Sequence, residues 1–436
     1  MTDLINTVLD IAATPGDAVA PGAWDTARLS LYDWLACGLA GVDEPLSVKL
    51  RAFARDEAGA AIASVFGGAQ APARMAALVN GATSHALDYD DTHFAHVGHL
   101  SVGIFPAALA MGEATDAPAS DVVTAFLLGA EAAIRIGVVL GTGHYNMGFH
   151  QTATAGAFGA TVAAGRLLGL DRDQMRAALG LCSTRASGLK SQFGTMGKPY
   201  NAGIAASNGV ECAQLARLGM TSSADGLMGD QGFVATHSRA PGTEIAPSDS
   251  FLFDAVSFKF HACCHGTHAM IEGLRDILPE VAGKMDQIAS VTLNTNPRWL
   301  RVCNIPDPAT GLEVKFSYRW LAGMVLEGRD TGAFSTYTDA AAQDAGLAGF
   351  AQRVKVIGDD SVSDMQAAGE VTLTDGRRIA FSHDLAERLA ADVLEARLRT
   401  KAKAVLGARA PILTPVLEGL SDMQSADLGA IVRQEQ

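Results

Sequence analysis

The sequence predicts a mainly α-helical protein, a large all-helical domain followed by a smaller α+β domain with antiparallel strands. Three observations carry this expectation. Up to about residue 250, apolar side chains recur at three- and four-residue spacing, and each run stops near a glycine, as buried helix faces and their C-caps do. Beyond it, short stretches alternate apolar and polar residues in the manner of half-buried strands. The 436-residue chain is also 48% hydrophobic but only 6% aromatic, with 46 glycines, so its core must use small side chains that let helices approach closely.

In chain order, WDTARLSLYDWLACGLAG (24–41), ARMAALVNGATSHALD (73–88), SVGIFPAALAMGEA (101–114), TAGAFGATVAAGRLLGL (154–170) and RDQMRAALGLCS (172–183) read as helices, and no strand is expected in this half. VVTAFLLGAEAAIRIGVVLG (122–141) is the longest apolar run. It carries Glu131 and Arg135 four residues apart, where they can pair on one helix face, so a buried helix is expected rather than a membrane span. Strands are expected at 287–296 and 352–360, and a hairpin over 369–384, because Asp375-Gly376 supplies the positive φ angles of a tight turn. Helices at 265–277 and 313–327 intervene. From 385 the chain reads as helical again, over LAERLAADVLEARLRTKAKAVLG and a terminal amphipathic segment. The expected division is 1–252 helical, 253–395 α+β, and 396–436 helical and packing back on the first domain.

Charge narrows the function classes. The formal net charge is −14 with no lysine/arginine run, which repels a phosphate backbone, so nucleic acid is not an expected partner. The opening MTDLINTVLD lacks the basic-then-apolar order of a secretion signal, and the six cysteines show no C-x-x-C spacing. A reduced, cytoplasmic protein that does not engage membranes is the expectation.

Four loops concentrate titratable groups. DYDDTHFAHVGH (88–99) holds three aspartates and three histidines. Asp90, His93, His96 and His99 could serve a metal-dependent hydrolase, but Gly98 interrupts the segment, and on one helix His93 and His99 would stand roughly 600° apart around the axis. The bland alternative is a polar turn whose side chains satisfy backbone amides. GHYNMGFHQTATAGAFGA (143–160) sets His144, Tyr145 and His150 before a small-residue helix whose N-terminus favours an anion. SQFGTMGKPYNAG (191–203) holds Lys198 in a glycine-rich loop, where a lysine can act as base or carboxylate anchor. SFKFHACCHGTHAMIEG (257–273) gathers Lys259, His261, His265 and His268 around Cys263 and Cys264, and Cys264 reads as structural rather than nucleophilic. Lysines and histidines clustered in the loops of an acidic protein suit a small polyanion. A base would remove a proton α to a carboxylate, and the cations would stabilise the enolate-like charge.

These segments resemble, in pattern and order, those of the MmgE/PrpD family, which contains 2-methylcitrate dehydratases, cis-aconitate decarboxylases and an iminodisuccinate epimerase. NGATSHALDYDDTH with HLS is similar to the family's H-x-x-D-[FY]-D-D-T…H-P-S segment, GFHQTATAGAFGA to G-[FWY]-H-x-T…G, and GKPYNAG to x-K-P-x-x-x-G. FKFHACCHGTHAMIEG resembles K-x-[FY]-P-x-C/H-x-x-x-H, and KFSYRWLAGMVLEG the F-S-x-x-Y helix. The resemblance implies a large helical domain with an α+β lid, a pocket between them, a homodimer, and no metal or organic cofactor. By matching motifs it implies Asp88, Thr92, His99, His150, Lys198 and Lys259 as site residues, with His268 matching a later family histidine. Two departures count against the decarboxylase: Cys264 stands where those enzymes carry histidine, and Trp320 stands at the motif tyrosine, with Tyr318 close by. The segment before His99 is also one residue longer than the pattern.

The function expected is cofactor-independent proton abstraction α to a carboxylate of a small di- or tricarboxylate. Lys198 with His150 or His99 supplies base and acid, Asp88 orients a histidine, and Thr92 and Lys259 hold carboxylates, with Tyr200, His268 and Tyr318 completing the substrate side. Loss of a β-hydroxyl makes the enzyme a hydro-lyase of the 2-methylcitrate type, the first expectation. Return of the proton on the opposite face, from Tyr145 or Tyr200, makes it an epimerase of a substrate such as iminodisuccinate. A carboxylate-binding protein built on a decayed enzyme is the non-enzymatic alternative.

Overall fold

The computed structural model describes residues 4–242, 245–246, 249–281 and 283–434, and the chain divides into two compact units. One takes in the chain up to Phe258 together with everything from Leu406 onward; the other is Lys259–Val405.

The first unit is helical: α1 (Leu4–Ala13), α2 (Pro21–Ala40), α3 (Pro45–Glu57), α4 (Ala73–Ser84), α5 (Ser101–Ala114), α6 (Ala119–Asn146), α7 (Thr154–Leu167), α8 (Arg172–Arg185), α9 (Gly197–Arg217) and α10 (Phe233–His237). Proline in the first turn starts α2 and α3, where its missing N–H costs nothing. A reciprocal Asp171–Gln174 capping box starts α8. Helices α4, α5 and α7 are buried at nearly every position, and α9 packs on all three. Alanine and glycine make this possible. A Cβ on Gly81 of α4 would lie 2.8 Å from the Gly203 Cα of α9, and one on Gly203 would strike the Leu78 carbonyl. A side chain at either position would therefore force apart two helices whose facing ends carry His85 and Lys198.

Helix α6 is long and apolar enough to cross a membrane, yet it is buried within this unit. Glu131 and Arg135 do pair on its face, and both reach beyond it. Glu131 accepts from the Phe253 N–H at 2.6 Å, and Arg135 donates to the Ser250 carbonyl at 2.5 Å. At the C-terminal end of the chain, Ser425–Val432 packs on α5 and Thr414–Glu418 on α2. A two-residue antiparallel pair, β1 (Ala63–Ser64) with β2 (Gln70–Ala71), does occur in the half expected to lack strands; two residues are too few for alternation to show.

The second unit carries a four-stranded sheet in the order β4-β3-β5-β6, from β3 (Ile288–Thr295), β4 (Val354–Gly358), β5 (Gln366–Leu373) and β6 (Arg378–Asp384). The hairpin falls where expected: Gly376 has φ 87°, and Thr372 pairs with Arg378 across the turn. The sheet is not wholly antiparallel. β4 runs parallel to β3, with Val291 opposite Val354, because the chain between them is long and crosses over through helical segments. Helix α11 (His268–Asp276) packs against β5 and β6. The helix expected over 313–327 is broken into Gly311–Val314 and Tyr318–Leu326, with the Ser317 hydroxyl accepting from Trp320 N–H to cap the second piece. The helix expected from 385 begins only at Ala391. Ahead of it, Leu385 N–H donates to the Met365 carbonyl at 2.9 Å and Ala386 N–H to the Asp384 carboxylate at 2.8 Å, which extends the strand end into a turn.

Candidate active site

Loop 85–100, between α4 and α5, folds on its own carboxylates. Asp91 accepts from Ser101 N–H at 3.1 Å and Ser101 Oγ at 2.5 Å, which ties the loop to the start of α5. The tip turns back on itself through a His93 N–H to Gly98 carbonyl bond of 2.8 Å. His93 Nε2 then meets the Leu252 carbonyl at 2.9 Å, and His96 Nδ1 the Ala133 carbonyl at 3.2 Å. Two of the three loop histidines are thus spent on the backbone, and the metal set of Asp90, His93, His96 and His99 does not assemble.

His99 alone of the three turns to the carboxylates. Its Nδ1 lies 2.7 Å from Asp90 Oδ2, and its Nε2 3.5 Å from Asp88 Oδ1. The other Asp90 oxygen lies 2.8 Å from Nδ1 of His85, the residue that caps α4, so Asp90 is clasped by two imidazoles. Asp88 holds Lys198 Nζ at 2.6 Å and does so from a φ of 52°, a left-handed backbone that few non-glycine residues adopt. Lys198 sits in the first turn of α9, and one turn on, Asn201 Nδ2 donates to His150 Nδ1 at 3.2 Å. The His85 ring lies 4.5 Å from that of His99 and 6.3 Å from that of His150, and Phe193 meets His150 edge-on at 5.0 Å. Four segments, at the ends of α4, α5, α7 and α9, therefore deliver His85, Asp88, Asp90, His99, His150 and Lys198 to one place.

Exposure separates the cluster into layers. The side chains of Asp90 and His85 are sealed, whereas Asp88 is 41% exposed, Lys198 17% and His99 10%. Burial would raise the Asp90 carboxyl, but the flanking His85 and His99 outweigh it and hold Asp90 well below the usual carboxylate range. Burial, with the Lys198 ammonium nearby, holds His150 well below the ordinary histidine value and so neutral. Because the Asn201 amide donates to His150 Nδ1, the ring proton sits on Nε2, which makes His150 a hydrogen-bond donor. Burial also pushes Asp91 up to about 7 despite its bonds from Ser101. One donor atom each from His85, Asp88, Asp90 and His99 lies within 4.8 Å of the others, a nitrogen/oxygen set of the kind divalent ions use. The Lys198 ammonium already on Asp88 opposes a second cation there.

The remaining expected residues have other recorded contacts. Thr92 forms a two-way backbone bridge with Ser257, at 2.9 and 2.8 Å. Tyr145 lies under the Lys190 ammonium, 3.5 Å from the ring centre. Tyr200, two residues from Lys198 and so around the α9 axis from it, lines a separate 330 Å³ cavity with Arg74, Arg185 and Asn208. Lys259, His268 and Tyr318 belong to the second unit. Lys259 is buried at 3% exposure. His268 is also buried; burial, then His265 and His261, hold it well below the ordinary value, and its Nε2 has no partner among the described residues. Tyr318 is not positioned as a ligand group: it is buried, and its hydroxyl donates to the Gly266 carbonyl at 2.7 Å and lies 3.1 Å from Thr295 Oγ1, bracing the turn before His268. His261 is braced likewise, between Thr331 Oγ1 at 2.7 Å and Glu272 Oε1 at 2.9 Å.

Sequence reasoning gave three contributors no part in the acid–base chemistry. His85 reads as the end of a helix and Asp90 as a turn-former, and Asn201 carries no charge to mark it. The H-x-x-D-Y-D spacing at 85–90 was the available signal for the first two.

Comparisons with known proteins agree on kinship. A model of the MmgE/PrpD N-terminal domain matches residues 11–246, and one of the MmgE/PrpD C-terminal domain matches residues 261–412. A cis-aconitate decarboxylase of Aspergillus terreus is 30% identical over 289 residues, which cover 62% of this chain and 59% of that protein. The cis-aconitate decarboxylase of Homo sapiens is 28% identical over 273 residues, 59% of this chain and 56% of that protein. That of Mus musculus is 27% identical over 282 residues, 60% and 56% respectively. The matches thus span less than two thirds of the length of these relatives.

Proposed function

From the premise that this chain belongs to the MmgE/PrpD family, we propose that it is a lyase acting on a small di- or tricarboxylate by acid–base chemistry at the carbon next to a carboxylate. The observation that carries the reading is the stacked arrangement of Asp90, His99, Asp88 and Lys198. A buried carboxylate held ionised beside His99 Nδ1 favours a proton on that nitrogen and leaves Nε2 as the basic atom. Nε2 lies 3.5 Å from Oδ1 of the partly exposed Asp88, whose other oxygen holds the Lys198 ammonium. His99 is then the base that takes the α-proton. Lys198 and the Nε2–H of neutral His150 are the donors that meet the charge growing on the substrate carboxylate. Asp88 aims Lys198 and sets its reach.

A base and an ammonium in the same cluster can both remove a proton and protonate a departing hydroxyl. We therefore favour a hydro-lyase of the 2-methylcitrate type. A second reading, a carboxy-lyase, is supported by the names of the relatives, which are cis-aconitate decarboxylases. Product analysis by proton and carbon NMR separates them. Incubation with 2-methylcitrate, citrate and cis-aconitate should yield a new alkene signal with every carboxylate retained. Release of carbon dioxide from cis-aconitate would replace the first reading by the second, and an untouched panel would count against both.

A further inference from the structure

In the second unit, two cysteines from separate loops meet sulfur to sulfur. Cys264 precedes the turn into α11, Cys303 follows the short helix Pro297–Leu300, and their Sγ atoms are 3.1 Å apart. The neighbouring Cys263 is engaged differently, with its Sγ 3.1 Å from Thr267 Oγ1. Backbone hydrogen bonds anchor both loops that carry the pair. Cys264 N–H donates to the Lys315 carbonyl at 3.1 Å, Cys303 N–H to the Trp299 carbonyl at 2.7 Å, and Tyr318 N–H to the Cys303 carbonyl at 3.0 Å. Cys264 is partly accessible, while Cys303 is sealed behind it. A second cysteine pair, Cys182 with Cys212, is buried on both sides and offers an oxidant no such entry.

We propose that Cys264 and Cys303 form a modification site, a dithiol that a hydroperoxide converts to an intramolecular disulfide. The Cys264 sulfur, as thiolate, attacks a peroxide oxygen. The O–O bond breaks, the released oxygen leaves as water or alcohol after taking a proton, and Cys264 becomes a sulfenic acid. The Cys303 sulfur then attacks the Cys264 sulfur. The S–S bond forms, the S–O bond breaks, and the hydroxyl departs with the Cys303 proton as water. Two thiols and one hydroperoxide thus give one disulfide, one water and one water or alcohol. The sulfurs need close only from 3.1 Å to about 2.0 Å. Cys264 is the partly accessible sulfur and Cys303 the sealed one, which assigns the first oxidation to Cys264 and resolution to Cys303.

Full-length protein is treated with stoichiometric hydrogen peroxide, alkylated, digested with trypsin without reduction and analysed by mass spectrometry. The expected product links peptide 260–275 to peptide 302–315, lighter than their sum by two hydrogens, and dithiothreitol abolishes it. Cys263→Ser keeps the link and Cys264→Ser loses it. In Cys303→Ser the link is absent and dimedone traps a sulfenic acid at Cys264. The proposal is overturned if wild-type protein shows Cys264 only alkylated or oxidised by added oxygen. It is equally overturned if the link survives in Cys264→Ser, which would assign it to Cys263.

Discussion

Replacing Asp90 by asparagine removes one charge and almost no volume, and it strikes the point on which the proposed chemistry turns. Asp90 is hydrogen-bonded to His85 Nδ1 at 2.8 Å and lies in ion-pair contact, 2.7 Å, with His99 Nδ1. An asparagine keeps the acceptor for His85 but removes the negative charge that favours a proton on His99 Nδ1. The His99 proton can then move to Nε2, and the basic atom is lost. General base catalysis of this kind contributes about 10²- to 10⁴-fold. At about 1.4 kcal/mol per decade this is roughly 3–6 kcal/mol of transition-state stabilisation. Steady-state kinetics on the substrate identified by NMR should show kcat down by that factor, with KM changed by less than about threefold, because Asp90 is sealed and touches no substrate. Circular dichroism should report a folded protein, since the isostere leaves no cavity. A folded Asp90→Asn enzyme with kcat within about fivefold of wild type and an unmoved pH profile would refute the argument that Asp90 sets the tautomer of His99.

Lys198→Ala should lose at least about a hundredfold in kcat, and Lys198→Arg should not restore it, because a guanidinium fork cannot take the 2.6 Å point contact on Asp88 in the same way; full activity in the arginine variant would deny Lys198 its role as a placed ammonium. Asp91 predicts a pH effect on stability. Its proton is held up to about pH 7 in the fold but released near 3.8 in the unfolded chain, so the folded state binds the extra proton in between and stability falls as pH rises through that window, by at most ~4 kcal/mol. Asp91→Asn, which can still meet both Ser101 groups, should remove that slope, so urea midpoints at pH 5 and pH 8 should converge in the variant; an unchanged slope would show that another group carries it. Activity should survive dialysis against a chelator. Stoichiometric zinc or iron in purified active enzyme, lost together with activity, would instead hand the His85, Asp88, Asp90 and His99 set to a metal.

Much of this molecule was legible because local pattern and tertiary environment agree. Helices α5 and α7 lie within the stretches that glycine and alanine spacing mark, and the Asp375-Gly376 turn is a local device that needs no partner. What was not legible depended on contacts between distant residues. Alternation at 352–360 marks a strand but not its direction, which the crossover from β3 decides. The segment at 385–390 has helical composition, yet Met365 and Asp384 hold it in a turn. In the site, charge made Lys198, Asp88 and His99 conspicuous. His93 and His96 were equally conspicuous and go to backbone carbonyls more than 30 residues away in sequence. Asp90 looked like a turn residue because nothing local shows that His85 and His99 will close on it from either side. Tyr200 was expected on the substrate side or as the opposite-face acid, but a helix sends residues two apart to different faces, and it lines a separate cavity.

Removal of a proton from the carbon next to a carboxylate is the step on which the proposed function rests most directly. Di- and tricarboxylates deuterated at the carbon next to a carboxylate, incubated with wild-type protein in ordinary water and followed by NMR, should lose a deuterium from that carbon as they turn over, and His99→Gln should abolish the loss. Turnover that keeps all the deuterium at that carbon, or loss that persists undiminished in His99→Gln, would contradict it.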